Sequence, residues 1–123
     1  MTRGLIVAAT RSGAGKTTLT LGLMRALARR GIGVQPFKCG PDYIDPAFHE
    51  AATGRPSYSL DDWSMRPETL VDLVARHPAD IAIAEGVMGL FDGSHGRGST
   101  ADVAAKLGWP VVLVVDVSGQ TET

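Results

Sequence analysis

The stretch GLIVAATRSGAGKTTLTLGLMRALARRG, residues 4–31, most constrains what this chain can become. It opens on GLIVAAT, 4–10, a short apolar run bounded by turn chemistry, the pattern of a parallel strand buried on both faces. It closes on a helix with Leu19, Leu23, Ala26 and Leu27 at helical spacing, Arg29 and Arg30 in the last turn, and Gly31 suited to a left-handed stop. Between them lies TRSGAGKTT, 10–18. A strand, a glycine-rich loop and a helix opening on Lys-Thr is the setting in which a loop cradles phosphate.

Gly13 and Gly15 permit backbone angles that turn successive N–H groups inward as an anion nest, and the helix adds its positive end. Ser12, Gly13, Ala14, Gly15, Lys16, Thr17 and Thr18 are therefore the candidate nucleotide site. Lys16 offers a point charge to the β- and γ-phosphates, and the Thr17 hydroxyl is a candidate Mg²⁺ ligand. The usual opening glycine, five positions before Gly15, is Thr10. A dinucleotide fingerprint fails, because the third small residue it needs at position 18 is Thr18. A turn serving only packing has no need of the Lys-Thr-Thr start.

Beyond the helix, GVQPFKCG, 33–40, reads as a second, interrupted strand. PDYIDPAFHEAATG, 41–54, reads as a loop and a short helix, with Asp45 as N-cap, Pro46 at the first helical position and Gly54 past the end. Residues 55–66 read as irregular, and Pro67 opens a helix through about His77 with Leu70, Leu73 and Val74 on one face. DIAIAEG, 80–86, is a third strand, and the glycines at 86, 89, 93, 96 and 98 argue against regular structure after it. Ser99 and Asp102 resemble a capping box for a helix ending at Gly108, and PVVLVVD, 110–116, is a fourth strand. This alternation predicts an α/β fold: a P-loop NTPase-type parallel sheet of about four strands, flanked by helices through right-handed crossovers.

At 123 residues the chain is one domain, and a net charge of −1 supplies no basic field for nucleic acid or an anionic membrane. A single cysteine, Cys39, excludes an internal disulfide, and no apolar stretch is long enough to span a bilayer, so the expected setting is cytoplasmic. Termination just past an apolar strand, where open α/β folds place ligand loops, leads us to expect a piece of something longer.

A phosphate loop needs an acid from a neighbouring strand for its metal. Glu85 ends the third strand and precedes Gly86, so it is the candidate. Asp116 ends the fourth strand, where a turn-forming role fits equally. Asp42 and Asp45 are placed to reach a metal or substrate, Asp45 in addition to its capping role, and Lys38 faces the same rim or solvent. Cys39 has no base paired with it, and His49, His77 and His95 lack metal-ligand spacing, so all four are taken as structural.

Three stretches together, TRSGAGKTT, PFKCGPDYIDPAFH and EGVMGLFDG, resemble the cobyrinic acid and hydrogenobyrinic acid a,c-diamide synthases of cobalamin biosynthesis, with GSTADVA and VVLVVDVSGQT following in family order. In that family, and in the related dethiobiotin synthetases, threonine at the position of Thr10 is unremarkable. The resemblance implies ATP and Mg²⁺ as cofactors and a ligase that phosphorylates a carboxylate of a corrin polycarboxylate, then replaces phosphate with ammonia. It carries Gly13, Gly15, Lys16, Thr17 and Thr18 over as the ATP site, Thr17, Glu85 and Asp45 as the metal site, and Lys38, Asp42 and Tyr43 as the acceptor site; Lys16, Lys38 and Asp45 are the catalytic set. Family members also carry a C-terminal glutaminase domain that supplies ammonia from glutamine, and nothing in this chain corresponds to it. The isolated piece is expected to be inactive, with an open sheet edge favouring a homodimer. Two rivals remain: a dethiobiotin synthetase, whose glycine-rich stretch is shorter than EGVMGLFDG, and a partition or site-selection ATPase, whose loop has lysine where this sequence has Arg11.

Overall fold

The computed structural model describes residues 2–11, 15–40, 44–61, 65–89 and 99–117. Five strands, β1 (Gly4–Ala9), β2 (Val34–Cys39), β3 (Tyr58–Leu60), β4 (Ile81–Gly89) and β5 (Val111–Val114), alternate with helices α1 (Lys16–Arg29), α2 (Asp45–Thr53), α3 (Pro67–Ala75) and α4 (Thr100–Leu107). The strands form one sheet in the order β3-β2-β4-β1-β5, and every pairing is parallel. The α/β sheet expected from the sequence is thus present, with one strand more than expected. β3 lies in the stretch read as irregular; three residues are too few for a periodic pattern to declare itself.

The two faces of the sheet are covered by different helices. Met24 of α1 and Ala52 of α2 pack on Val7, Val34 and Ile83. Leu70 and Val74 of α3, with Val103, Ala104 and Leu107 of α4, pack on Ile6, Phe37, Ala82 and Ala84. Successive strand residues point to opposite faces, and each set sits where that alternation puts it. β1 and its neighbour β4 therefore lead into helices on opposite faces, which opens a crevice past their C-terminal ends, the place where α/β sheets bind ligands.

Pro36 lies within β2, an interior strand, which a missing N–H normally forbids. Gly33 O accepts from Ile81 of β4 and Gly40 N donates to Leu60 of β3, so even-numbered residues of β2 face β3. Pairing with β3 begins only at Phe37, so the proline ring meets no ladder there. The Gln35 amide spans the gap, donating to Pro36 O at 3.1 Å and Pro56 O at 2.8 Å. The strand is continuous, not interrupted.

Helix ends follow the chemistry expected of them. Gly31, Gly54 and Gly108 adopt φ of 81°, 78° and 68° at the three predicted stops. The Ser99 hydroxyl accepts from Asp102 N at 3.1 Å, as a cap should. Asp45 departs from expectation: it is the first residue of α2, Ile44 before it is already helical, and no side-chain cap is made. Its carboxylate is used elsewhere, as described below.

At the opposite end of the sheet from the crevice, Trp109 lies over Gly4 and tilts against Phe37 with ring centroids 6.2 Å apart. A Cβ on Gly4 would overlap the indole ring. Gly4→Ala is expected to lower stability by about 1–3 kcal/mol, the usual cost of overpacking; the urea midpoint checks this, and an unchanged midpoint would show that Trp109 yields freely.

Candidate nucleotide and acceptor site

The C-terminal ends of β1, β2 and β4 set one row of side chains. Val7 is the partner of Glu85, and Glu85 is the partner of Lys38, so the three sit side by side on the face covered by α1 and α2. Lower on that face the row is apolar, with Val34 and Ile83. At the top it becomes a lysine and a glutamate, both buried.

A buried carboxylate costs several kcal/mol of lost hydration unless partners replace the water. Glu85 has them. Thr17, at the second position of α1, donates from Oγ1 to Oε2 at 2.6 Å across 68 residues of sequence. His49 of α2 lies with Nε2 2.8 Å from Oε1. Lys38 Nζ lies 3.8 Å from Oε2. Burial, the largest single influence, would raise the Glu85 carboxyl, but the hydrogen bonds from His49 and Thr17 and the positive charge of Lys38 together hold it below its ordinary range. Glu85 is therefore an anion at neutral pH.

Lys38 completes its own shell with Asp45 Oδ2 at 2.9 Å and Gly86 O at 3.1 Å. The solvent-facing alternative for this lysine is excluded, since its side chain is only 4% exposed. Gly86 belongs to a bulge: β1 advances from Val7 to Ala9 while β4 advances from Glu85 to Gly89. The bulge turns the Gly86 carbonyl to Lys38, and Val87 N donates to the Thr100 hydroxyl at 3.2 Å. Only glycine fits at 86, because a Cβ would lie 2.7 Å from Thr100 Oγ1 and 3.2 Å from Val7 O. The bulge also explains why β4 runs beyond the predicted boundary at Gly86.

At the head of α1, Gly15 takes φ 91° as N-cap, with no side-chain cap and no acid in the first turn. The other three helices each carry an acid there, Asp45, Glu68 and Asp102. The α1 N-terminus thus keeps its partial positive charge for an external anion. Lys16 begins the same turn; burial first, then the charge of Lys38, push its ammonium below the ordinary lysine range. A polyanion entering here meets two cations and a helix end. Thr18 is exposed on the same turn.

Of the predicted site residues, the structure brings Lys16, Thr17, Lys38, Asp45 and Glu85 together at the head of α1. Ser12, Gly13, Ala14, Asp42 and Tyr43 lie outside the described residues. Thr17 and Glu85 are hard oxygen donors in contact, which suits Mg²⁺; that ion takes one or two protein oxygens and completes its shell from water and phosphate. Among the described residues no three of His, Cys, Asp or Glu form a protein-only metal cage. Asp45 joins the cluster through Lys38. Asp116 pairs with Arg11 at 2.8 Å in an exposed contact, of the kind worth at most about 1 kcal/mol.

His49, which lacks metal-ligand spacing in the sequence, is fully buried against Glu85, a contact that spacing does not reveal. The available signal was its offset of four from Asp45, which puts both on one helix face. His77 stacks on Tyr58 at 4.0 Å, a packing role, and His95 lies outside the described residues.

The profile of the CobQ/CobB/MinD/ParA nucleotide binding domain, CbiA, matches residues 5–121. This chain belongs to that family. The chain is 58% identical to the hydrogenobyrinate a,c-diamide synthase of Rhodobacter capsulatus over 98% of its own length and 29% of the relative's. The synthase of that name from Rhizobium meliloti is 58% identical over 92% of this chain and 27% of the relative, and that from Brucella anthropi 54% over 98% and 29%. The chain thus spans less than a third of the length of these relatives. No helix among the described residues is long and apolar enough to cross a membrane.

Cys39 stays structural. Burial pushes its thiol up to about 12, so at pH 8 it is a neutral, inaccessible group. Iodoacetamide is expected to leave Cys39 unmodified in the folded protein and label it in urea; mass spectrometry reads both, and rapid native labelling would contradict this placement.

Proposed function

We infer that this chain is the ATP- and magnesium-binding part of an a,c-diamide synthase acting on a cobyrinic or hydrogenobyrinic acid type of corrin in cobalamin biosynthesis. The observation that carries the reading is the convergence of Lys38 and Asp45 on the Thr17–Glu85 pair. A nucleotide site alone needs the α1 head and one acid. The second buried cation, on β2 beside that acid, suits a carboxylate acceptor brought up to the terminal phosphate. The names borne by the relatives agree with such chemistry.

On this reading the α1 amides and Lys16 hold the triphosphate, while Thr17 and Glu85 hold magnesium or its water. Bound magnesium would neutralise charge on the terminal phosphates. An acceptor carboxylate oxygen attacks the γ-phosphorus, the bond to the β-phosphate oxygen breaks, and ADP leaves. Ammonia then adds to the acyl phosphate, phosphate departs, and a carboxamide remains. Lys38 draws the acceptor in and offsets charge as phosphoryl transfer proceeds, work that is mainly positioning and electrostatics. Asp45 holds Lys38 in place, with Asp42 and Tyr43 of the adjoining segment proposed as further acceptor contacts. Gly13 and its neighbours Ser12 and Ala14 are proposed to complete the phosphate nest, with Thr18 at its rim.

Glutamine, through a C-terminal glutaminase domain in the longer protein, is the proposed nitrogen source, and the cytoplasm the proposed setting. We propose that the present residues alone do not turn over substrate. Val112, Leu113, Val115 and Val117, all exposed along β5 and just after it, suit coverage by further chain or by a second copy.

The full-length protein is expected to convert ATP to ADP only when a corrin polycarboxylate and a nitrogen donor are both present, as coupled ADP release would show. ATP turnover without an acceptor but stimulated by protein or DNA would favour a MinD/ParA-type switch, which shares the family profile. Lys16→Ala is expected to slow amidation at least about 100-fold, near 3 kcal/mol of transition-state stabilisation. Near-normal amidation by that variant would remove Lys16 from the mechanism.

A further inference from the structure

We propose that His49 is a positioning residue for Glu85: it ties up Oε1 so that only Oε2, the oxygen facing Thr17 and Lys38, is presented to magnesium and its water. The proposal rests on Glu85 as the metal-side acid and adds what fixes that acid.

Ionised Glu85 can only accept, so His49 Nε2 carries the proton in their 2.8 Å bond. The other ring nitrogen, Nδ1, lies 2.9 Å from Ser57 Oγ, whose hydroxyl can donate to it. Ser57, His49, Glu85 and Thr17 therefore form one hydrogen-bonded chain from the segment before β3 to the head of α1, with His49 and Thr17 both donating to Glu85. His49 and Glu85 are both fully buried, so no water competes for Oε1. A carboxylate bonded through one oxygen only is free to swing about its last torsion. Held at both, it offers a single lone-pair direction to the crevice. Outer partners of ligating groups commonly set metal affinity as strongly as this, by about 10–100-fold.

α2 is built to deliver both contacts. Asp45 and His49 are one turn apart on the same face; Asp45 meets Lys38 and His49 meets Glu85. One helix thus holds both members of the β2–β4 pair from above.

The test compares His49→Gln, which keeps an N–H near the position of Nε2, with His49→Asn, which is too short to reach Oε1, in the full-length protein. A non-hydrolysable ATP analogue is titrated calorimetrically in EDTA and at graded magnesium. The expected result is a rise of about tenfold or more in half-saturating magnesium for His49→Asn, a value within about threefold of wild type for His49→Gln, and unchanged metal-free nucleotide affinity in both. Wild-type magnesium dependence in His49→Asn overturns the proposal, as does equal loss of metal-free binding or equal impairment of the Gln variant. Should His49→Asn not fold, Ser57→Ala carries the test, with a several-fold rise expected and no rise overturning it. Nucleotide binding by the wild type that ignores magnesium would instead overturn the metal role of Glu85 itself, and is measured before any variant.

Discussion

A carboxylate at the end of β4 is removed from water, and everything around it is arranged to let it stay ionised. Its hydration costs several kcal/mol to remove. The Lys38 attraction at 3.8 Å returns roughly 4 kcal/mol at the effective dielectric suited to proteins. Lys38, also buried, has its own hydration to lose, so the pair is a poor device for stability. Two hydrogen bonds, from Thr17 and His49, tip the balance toward the anion. Four elements, α1, α2, β2 and β4, must be correctly placed before Glu85 can carry its charge, which makes the cluster a check on the whole α1/α2 face.

The topology makes that placement possible. β4 is inserted between β1 and β2, although it follows both in sequence. Glu85 thereby acquires the phosphate-loop strand on one side and the Lys38 strand on the other. At the bulge after Glu85, Lys38 takes up the Gly86 carbonyl and Thr100 the Val87 N–H. Gly86 is required because Thr100 and Val7 press on the same spot.

Much of this was legible in residue order. Long signals came through: the apolar runs of β1 and β5, the strand-loop-helix context of Lys16, and the glycine stops at 31, 54 and 108. Glu85 was legible because a carboxylate ending an apolar run is conspicuous. β3 was not, being too short to show alternation. The continuity of β2 was hidden by Pro36, whose missing N–H does no harm only because β3 starts one residue later. Of the two roles expected of Asp45, the cap before Pro46 is a local rule that lost to a buried ammonium seven residues away. The contact of His49 with Glu85 was hidden for a related reason. Histidine carries no pattern of its own, and its partner is 36 positions distant across an insertion of strands that local spacing cannot reveal.

The site divides along the same lines as the family. α1 and β4 supply the helix head, Thr17 and Glu85, the parts proposed to hold nucleotide and magnesium. β2 and α2 supply Lys38, Asp45 and His49: Lys38 and His49 hold Glu85 ionised, and Asp45 holds Lys38. Their cost is considerable: a buried lysine, a buried histidine, and a proline accommodated in an interior strand. A domain that must hold an organic carboxylate in line with a terminal phosphate would gain a second positive centre beside the first, rigidly indexed to the metal-side acid through the register of two adjacent strands. On the proposed function, that indexing would give the β2–α2 half a role in chemistry beyond folding.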